Sequence, residues 1–302
     1  MLKHWISAFR LRTLPLALST ILMGSSLALL TGDFQWEIFI LCILVSISLQ
    51  ILSNLANDYG DGVKGTDNND RIGPERAIQS GLIGKKEMKV AIIGFSLLSF
   101  ILGAWLIFSS FNNIESILLF FGVGIAAIIA AITYTIGKKP YGYHGLGDVF
   151  VFLFFGLVGV LGTNYIQTHY FHALNLLPAI SIGCFSTAVL NLNNMRDIEN
   201  DSSSNKNTIV VLIGLQNAKK YHFGLFFIAY LSILIFLTSL SNFTLQCLLA
   251  GITFITAIIH TKHLLFIKKA DEYQLFDSQL KIIAISSFLF SLMWLITIFF
   301  LS

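Results

Sequence analysis

The chain has 302 residues, 55% of them hydrophobic and only 12% charged, with a mean hydropathy of +0.78. A soluble domain carries about twice that charged fraction, so a soluble fold is excluded and an all-α, polytopic membrane protein is expected. A net charge of +3 gives no reason to expect a nucleic-acid partner; the placement of the charges says more than their sum.

Nine apolar spans follow one another, at 14–31, 36–56, 88–110, 114–133, 147–168, 173–192, 222–240, 243–260 and 281–301. Each is near the ~20 residues that cross a bilayer. Together they read as one integral membrane domain over residues 1–302. The N-terminal segment carries Lys3, Arg10 and Arg12 and runs straight into a full-length span, so no cleavable signal peptide is expected. Cys42, Cys184 and Cys247 all sit in apolar runs, which argues against a disulfide set or a metal site.

The connections alternate in character. Those at 31–35, 110–113, 168–172 and 239–242 are short and lack Lys and Arg, whereas those at 58–87, 137–144, 196–220 and 261–279 are longer and charged. All 19 Lys and Arg residues fall in the N-terminus, in the long connections or at their edges, with Lys281 the most marginal. The opposite side carries only Asp33, Glu37 and Glu115. The positive-inside rule then places the N-terminus and the charged connections in the cytoplasm, with the chain multi-pass in a cell (inner or plasma) membrane.

Two acidic stretches end apolar runs on that cytoplasmic side. The first is 54–81, N-L-A-N-D-Y-G-D-G-V-K-G-T-D-N-N-D-R-I-G-P-E-R-A-I-Q-S-G, and the second is 193–206, N-N-M-R-D-I-E-N-D-S-S-S-N-K. Each opens on asparagines and continues with spaced carboxylates and a cation, a hint of an internal repeat. Carboxylates at the edge of a membrane are expensive. Asp58 and Asp61 lie three apart and Asp197 and Asp201 four apart, so each pair shares a helix face. Paired carboxylates repel unless a divalent cation sits between them. One pair alone reads as a solvated acidic surface; two pairs on one side read as facing halves of one magnesium–diphosphate site. Asn57 and Asn194 are candidate ligands through their carbonyl oxygens, and Asn54 and Asn193 candidate supports.

Lys64, Arg71, Arg76, Lys138, Lys139, Arg196 and Lys206 are candidates to grip phosphate oxygens. The alternative for each is a charge that only sets topology, the reading preferred for Lys85, Lys86, Lys219, Lys220, Lys268 and Lys269. The Gly- and aromatic-rich stretch 133–163 brings Tyr134, Tyr141 and Tyr143 to a span edge, as cavity lining or as interfacial belt residues. Asp148 sits where a helix N-terminus welcomes a carboxylate. Seven histidines show no metal-ligand spacing, and neither a Walker-type loop nor a nucleophilic triad is visible.

These residues carry a resemblance to the UbiA-type intramembrane prenyltransferases. N-D-Y-G-D-G-V-K-G-T-D with the following D-R-I-G-P-E-R resembles the family's first aspartate-rich motif, in the form typical of members acting on a naphthoate. N-N-M-R-D-I-E-N-D with Lys206 and Thr208 resembles the second, and Y-T-I-G-K-K-P-Y-G-Y-H-G-L-G-D the central segment. L-R-T-L-P near the N-terminus also fits, although the usual A-R-P is F-R-L here. The resemblance reaches to about Gly214; the last three spans match in hydropathy only.

The resemblance implies nine transmembrane helices around a central cavity, with both motifs holding Mg2+ and an isoprenyl diphosphate. Asn57, Asp58 and Asp61 match the first motif and Asp197 and Asp201 the second, and these carboxylates are expected to be needed for turnover. Where the general pattern has a further Asp, this chain has Gly65, and Asp67 is the expected substitute ligand. The implied partners are a polyprenyl diphosphate, 1,4-dihydroxy-2-naphthoate, which loses its carboxyl group on prenylation, and the lipid bilayer. Transfer to 4-hydroxybenzoate, homogentisate or haem is the rival within the family. An ion-coupled transporter is the rival outside it, disfavoured because the acidic clusters lie at an interface and not at the bilayer midplane.

Overall fold

A computed structural model describes residues 2–68, 72–73, 76–270 and 272–301. Among the described residues the chain is all-helical without strands, and nine helices are long and apolar enough to span a membrane. They are α1 (Leu14–Thr31), α2 (Trp36–Lys64), α3 (Lys85–Ser110), α4 (Ile114–Thr133), α5 (Gly147–Thr168), α6 (Leu176–Arg196), α7 (Leu215–Thr238), α8 (Phe243–Lys269) and α9 (Leu275–Leu301). A short helix, Leu2–Phe9, precedes α1 and is broken from it at Arg10, whose φ is 49°.

Several helices outrun their apolar sequence. α2 continues from the expected end at residue 56 to Lys64, α6 to Arg196 and α8 to Lys269, while α9 begins at Leu275 and not at 281. The apolar run fixes only the part in hydrocarbon. In α2 the hydrogen-bond ladder continues into polar sequence until Gly65, at φ 77°, ends it. These overhangs carry the acidic stretches.

The second departure is in α5, where Phe152–Leu161 winds as a π-helix. π-turns are rare and cluster at functional sites. Phe150, Phe154, Val158, Gly162 and Ile166 form one row at intervals of four and all face the central cavity.

α1 is the hub. It packs on α2, α5, α6 and α9, with α3 and α4 outside α2, and α7 and α8 outside α6 and α9. One core joins Met23, Phe185, Phe226, Phe290 and Trp294; another joins Leu52, Leu55 and Met88 between α2 and α3. Polar groups inside the second half of the bundle pair across helices. His222 meets His263 at 2.8 Å, His263 meets Gln279 at 2.7 Å, and His260 joins Tyr230 and Ser286 at 2.7 Å each. In hydrocarbon such groups must find partners within the protein. α4 buries little but Ala130, and side chains such as Phe108, Leu118, Phe254 and Phe300 point outward, as lipid-facing residues do. Cys42 and Cys184 are buried and Cys247 exposed, all three free.

Candidate active site

One face of α2 sets out the site. Cys42, Val45, Ser46, Leu49, Gln50, Ser53, Asn54, Asn57 and Asp61 line a single cavity of about 690 Å³. Their spacing of three and four is a helical row. Along that row the character turns from apolar to polar, and the row ends on a carboxylate. The opposite walls repeat the gradient: Leu106, Phe120 and Phe154 at the apolar part, Lys206, Asp197 and Asp201 at the polar part.

The turn after α2 folds a second acid back. Gly65 stands at φ 77°, a left-handed conformation that a side chain would strain. The Thr66 and Asp67 amides then both donate to the Asp61 carbonyl, at 3.0 and 3.4 Å. Asp67 thereby reaches the cavity, with the Arg76 guanidinium 3.7 Å from its carboxylate. Gly60 allows the next element to close in, because a Cβ there would lie 2.4 Å from Thr135 Oγ1. Thr135 instead donates to the Ala56 carbonyl at 2.9 Å, which fixes Tyr134 at the cavity wall.

The second stretch is built as a break. α6 stops at Arg196, Asp197 caps it, and a short helix, Ile198–Ser203, restarts. Asp197 and Asp201 both line the cavity and both are buried. Two contacts tie this stretch to the first. Asn200 Nδ2 donates to the Thr66 carbonyl at 2.8 Å. Lys206 Nζ stands 3.3 Å from Asp201 Oδ1 and 3.8 Å from Asp61 Oδ2. Tyr143 completes the junction: its hydroxyl donates to Asp61 Oδ1 at 2.8 Å, and Lys64 lies 4.3 Å over its ring.

Burial raises the Asp201 carboxyl to about 6, with Lys206 opposing and Asp197 and Asp61 adding to the shift. Burial works against the Lys206 charge as well, but the Asp61 and Asp201 carboxylates outweigh it and hold the ammonium well above its ordinary value. Burial also pushes the Tyr134 and Tyr143 hydroxyls up, so both remain hydrogen-bond donors at neutral pH.

The structure brings Asn57, Asp61, Asp67, Arg76, Tyr134, Tyr141, Asp197, Asp201 and Lys206 to one cavity. It does not bring Asp58, Lys64, Lys138, Asn194 or Arg196 to that lining. Asp58 points to the other side of α2, where its oxygens accept from the amides of Ala77 and Ile78 at 3.1 and 3.3 Å. It borders a separate hollow of about 280 Å³ with Arg10 and Arg76. Lys64 and Lys138 are exposed. Asn194 is buried beside the site, and it is Asn193 that faces the cavity. Arg196 is buried and grips Asp197 from behind. Arg71 lies outside the described residues.

Sequence reasoning passed over Asn200 and Asp277. Asn200 stands one position before Asp201, a spacing with no signal of its own. Asp277 is an acid in the first turn of α9, and its partner Arg196 is 81 positions away.

Residues 17–288 match the UbiA prenyltransferase family. The chain belongs to that family. It is 48% identical over 237 residues to the 1,4-dihydroxy-2-naphthoate octaprenyltransferase of Haemophilus influenzae, covering 78% of this chain and 77% of the relative. To the enzyme of that name from Escherichia coli it is 46% identical over 218 residues, covering 72% and 71%. Its fold is similar to that of a UbiA homolog from Archaeoglobus fulgidus solved with DMAPP and Mg2+, with TM-score 0.65, 15% identity and 94% and 98% of the two chains covered. An apo UbiA homolog from Aeropyrum pernix gives TM-score 0.66 at 15% identity, over 91% of this chain and 96% of that one. At such identities the likeness carries the UbiA bundle and no more.

The family implies a divalent cation, and the donors present fit one. Carboxylates and carboxamides are the oxygen ligands that Mg2+ prefers. Asp201 Oδ2 and Asn200 Oδ1 are buried oxygens with no hydrogen-bond donor, the state expected of atoms reserved for a cation. Among the described residues no three His, Cys, Asp or Glu side chains form a ready metal cluster. Mg2+ is commonly held by one or two carboxylates plus phosphate oxygens.

Proposed function

We propose that this UbiA-family enzyme transfers a polyprenyl group from polyprenyl diphosphate to 1,4-dihydroxy-2-naphthoate, with loss of CO2, giving demethylmenaquinol and diphosphate. The observation that carries the reading is the single cavity whose polar end gathers Asp61, Asp67, Asp197, Asp201, Lys206 and Arg76 and whose remainder is apolar. It suits a donor with an anionic head and a long hydrocarbon tail. The names of the relatives support the naphthoate as acceptor.

In this reading Asn57, Asp61, Asp67, Asp197 and Asp201 hold Mg2+. When bound, the ion neutralises the diphosphate and improves it as a leaving group. Lys206 and Arg76 add positive charge against the phosphate oxygens. The bond between the allylic carbon and oxygen breaks, and its electron pair leaves with the diphosphate. The electron-rich acceptor ring supplies the pair for the new carbon–carbon bond. The carboxyl group then departs as CO2, and the pair it leaves behind restores the aromatic ring. Leu106, Phe120, Phe154 and Val158 keep water from the allylic cation, and the rings of Tyr134, Tyr141 and Phe150 stand at the wall near the polar end to face it. Chain and product stay in the membrane, with the N-terminus and both acidic stretches on the cytoplasmic face of a cell (inner or plasma) membrane and residues 1–302 acting as one domain.

The test is incubation of the purified protein with radiolabelled polyprenyl diphosphate, Mg2+ and each acceptor separately. Prenylated naphthoquinol is expected. Transfer to 4-hydroxybenzoate, homogentisate or haem, with none to the naphthoate, would overturn the acceptor assignment.

A further inference from the structure

Asp277 belongs to the last helix, outside both acidic stretches, yet it ends at the site. Its carboxylate accepts from Arg196 NH1. The same guanidinium is forked on Asp197, with Nε donating to Oδ1 at 2.9 Å and NH2 to Oδ2 at 2.6 Å, and NH2 also reaches Asn193 Oδ1 at 2.9 Å. Arg196 is 1% exposed and Asp197 5%, so both charges are shielded from bulk solvent. Arg12 stands 4.0 Å from Asp277; both line the same cavity as Asp197 with side chains more than a third exposed, so that contact is screened by solvent.

A first-turn acid is commonly no more than a complement to the helix dipole. The buried arginine argues for more. With one guanidinium shared by two carboxylates, the inner group carries a net negative charge. With Asp277 removed, Arg196 and Asp197 would form a neutral one-to-one fork. A carboxylate so neutralised is a poorer ligand for a divalent cation. Outer groups that hold and tune metal ligands commonly change metal affinity by 10–100-fold.

We propose that Asp277 is a positioning residue: it divides the Arg196 guanidinium between two acids and so leaves more of the Asp197 charge uncompensated toward the cavity. α9 thereby contributes to the metal site without touching the metal. The proposal rests on the reading of Asp197 as a metal ligand and is independent of which acceptor is prenylated.

The experiment is direct binding of Mn2+ to the full-length protein in nanodiscs, followed by electron paramagnetic resonance, with inorganic diphosphate present and no acceptor. Asp277→Asn is expected to weaken Mn2+ binding by about tenfold or more, and Asp277→Glu to restore it. In turnover assays the Mg2+ requirement of Asp277→Asn should rise while kcat at saturating Mg2+ changes much less. The double variant Asp277→Asn/Arg196→Gln, in which no guanidinium opposes Asp197, should bind Mn2+ at least as tightly as the parent. If Asp277→Asn is too unstable to purify, Asp277→Ser takes its place, with the same loss expected and the same unchanged affinity overturning the proposal. Unchanged Mn2+ affinity in Asp277→Asn would overturn the proposal and leave Asp277 a helix-terminal charge. Weak binding in the double variant would overturn it in favour of Asp277 as a direct ligand. A parent that binds no Mn2+ would sink the metal-site reading, and this inference with it.

Discussion

The two acidic stretches look alike in sequence and are built differently. The first begins on the unbroken end of α2, so Asp58 and Asp61 point wherever the helical phase sends them. The phase sends Asp61 into the cavity and Asp58 to the back of α2, against the amides of Ala77 and Ile78. The second lies at a break between α6 and the short helix Ile198–Ser203, and a break frees both Asp197 and Asp201 to face the cavity. Like residues at like spacing are therefore placed unlike: the Asp58 oxygens accept from two loop amides, whereas Asp61, Asp197 and Asp201 line the cavity.

The sharpest way to break that comparison is to neutralise the acids one at a time. Asp61→Asn, Asp197→Asn and Asp201→Asn should each lower kcat by about 10²–10³-fold, the scale expected when a preorganised electrostatic contact is lost. Asp58→Ala should act chiefly on stability, because it strands the buried Ala77 amide at about 1–3 kcal/mol and the part-buried Ile78 amide at less. Asp58→Asn keeps an oxygen that can accept those bonds and should recover most of both stability and turnover. Thermal unfolding and steady-state rates on the five variants check this. An Asp58→Asn enzyme as dead as Asp61→Asn would show the first stretch to work as a symmetric partner of the second.

A smaller effect follows from pH. Burial raises the Asp201 carboxyl to about 6. A raised carboxyl favours the protonated acid in the folded protein, so its contribution to metal-free stability is present at low pH and is lost as pH rises through about 6. Metal binding runs the other way, because a carboxylate must lose its proton to serve as ligand. Turnover should therefore decline as pH falls below about 6, with the Mg2+ requirement rising over the same interval. In Asp201→Asn this limb of the pH profile should vanish. Its survival would assign the titration to another group.

The fold was legible because an apolar run of bilayer length has few alternatives. The site was legible in part. Asp58 and Asp61 were paired because like charges at three-residue spacing share a face, but the cavity face of α2 is the row through Gln50, Asn54, Asn57 and Asp61, and Asp58 is one step off it. The polar members of that row interrupt an apolar span, so the signal was present and lay in the row, not in the pair. The helix overhangs were hidden because hydropathy reports where hydrocarbon ends, not where the backbone ladder ends. The π-winding of α5 has no period in its sequence, and the Asp277–Arg196 contact joins residues 81 positions apart. Only packing of α9 against α1 and α6 brings that pair together.

The smallest predicted effect concerns a cation that the sequence grouped with Lys206. Both follow a run of turn formers, yet Lys206 is buried between Asp61 and Asp201 whereas Lys138 projects from an exposed turn between α4 and α5. A phosphate grip needs a cation at the cavity, and a long exposed side chain has about 2 kcal/mol of rotamer freedom to give up before it can reach inward. Lys138→Ala should thus change stability by no more than about 0.5 kcal/mol and leave the KM for polyprenyl diphosphate unaltered, whereas Lys206→Ala should raise it strongly. A raised KM in Lys138→Ala alone would mean that the 137–144 turn closes over the diphosphate, and that exposure in the unliganded protein is the wrong guide to which cations of the first half meet the substrate.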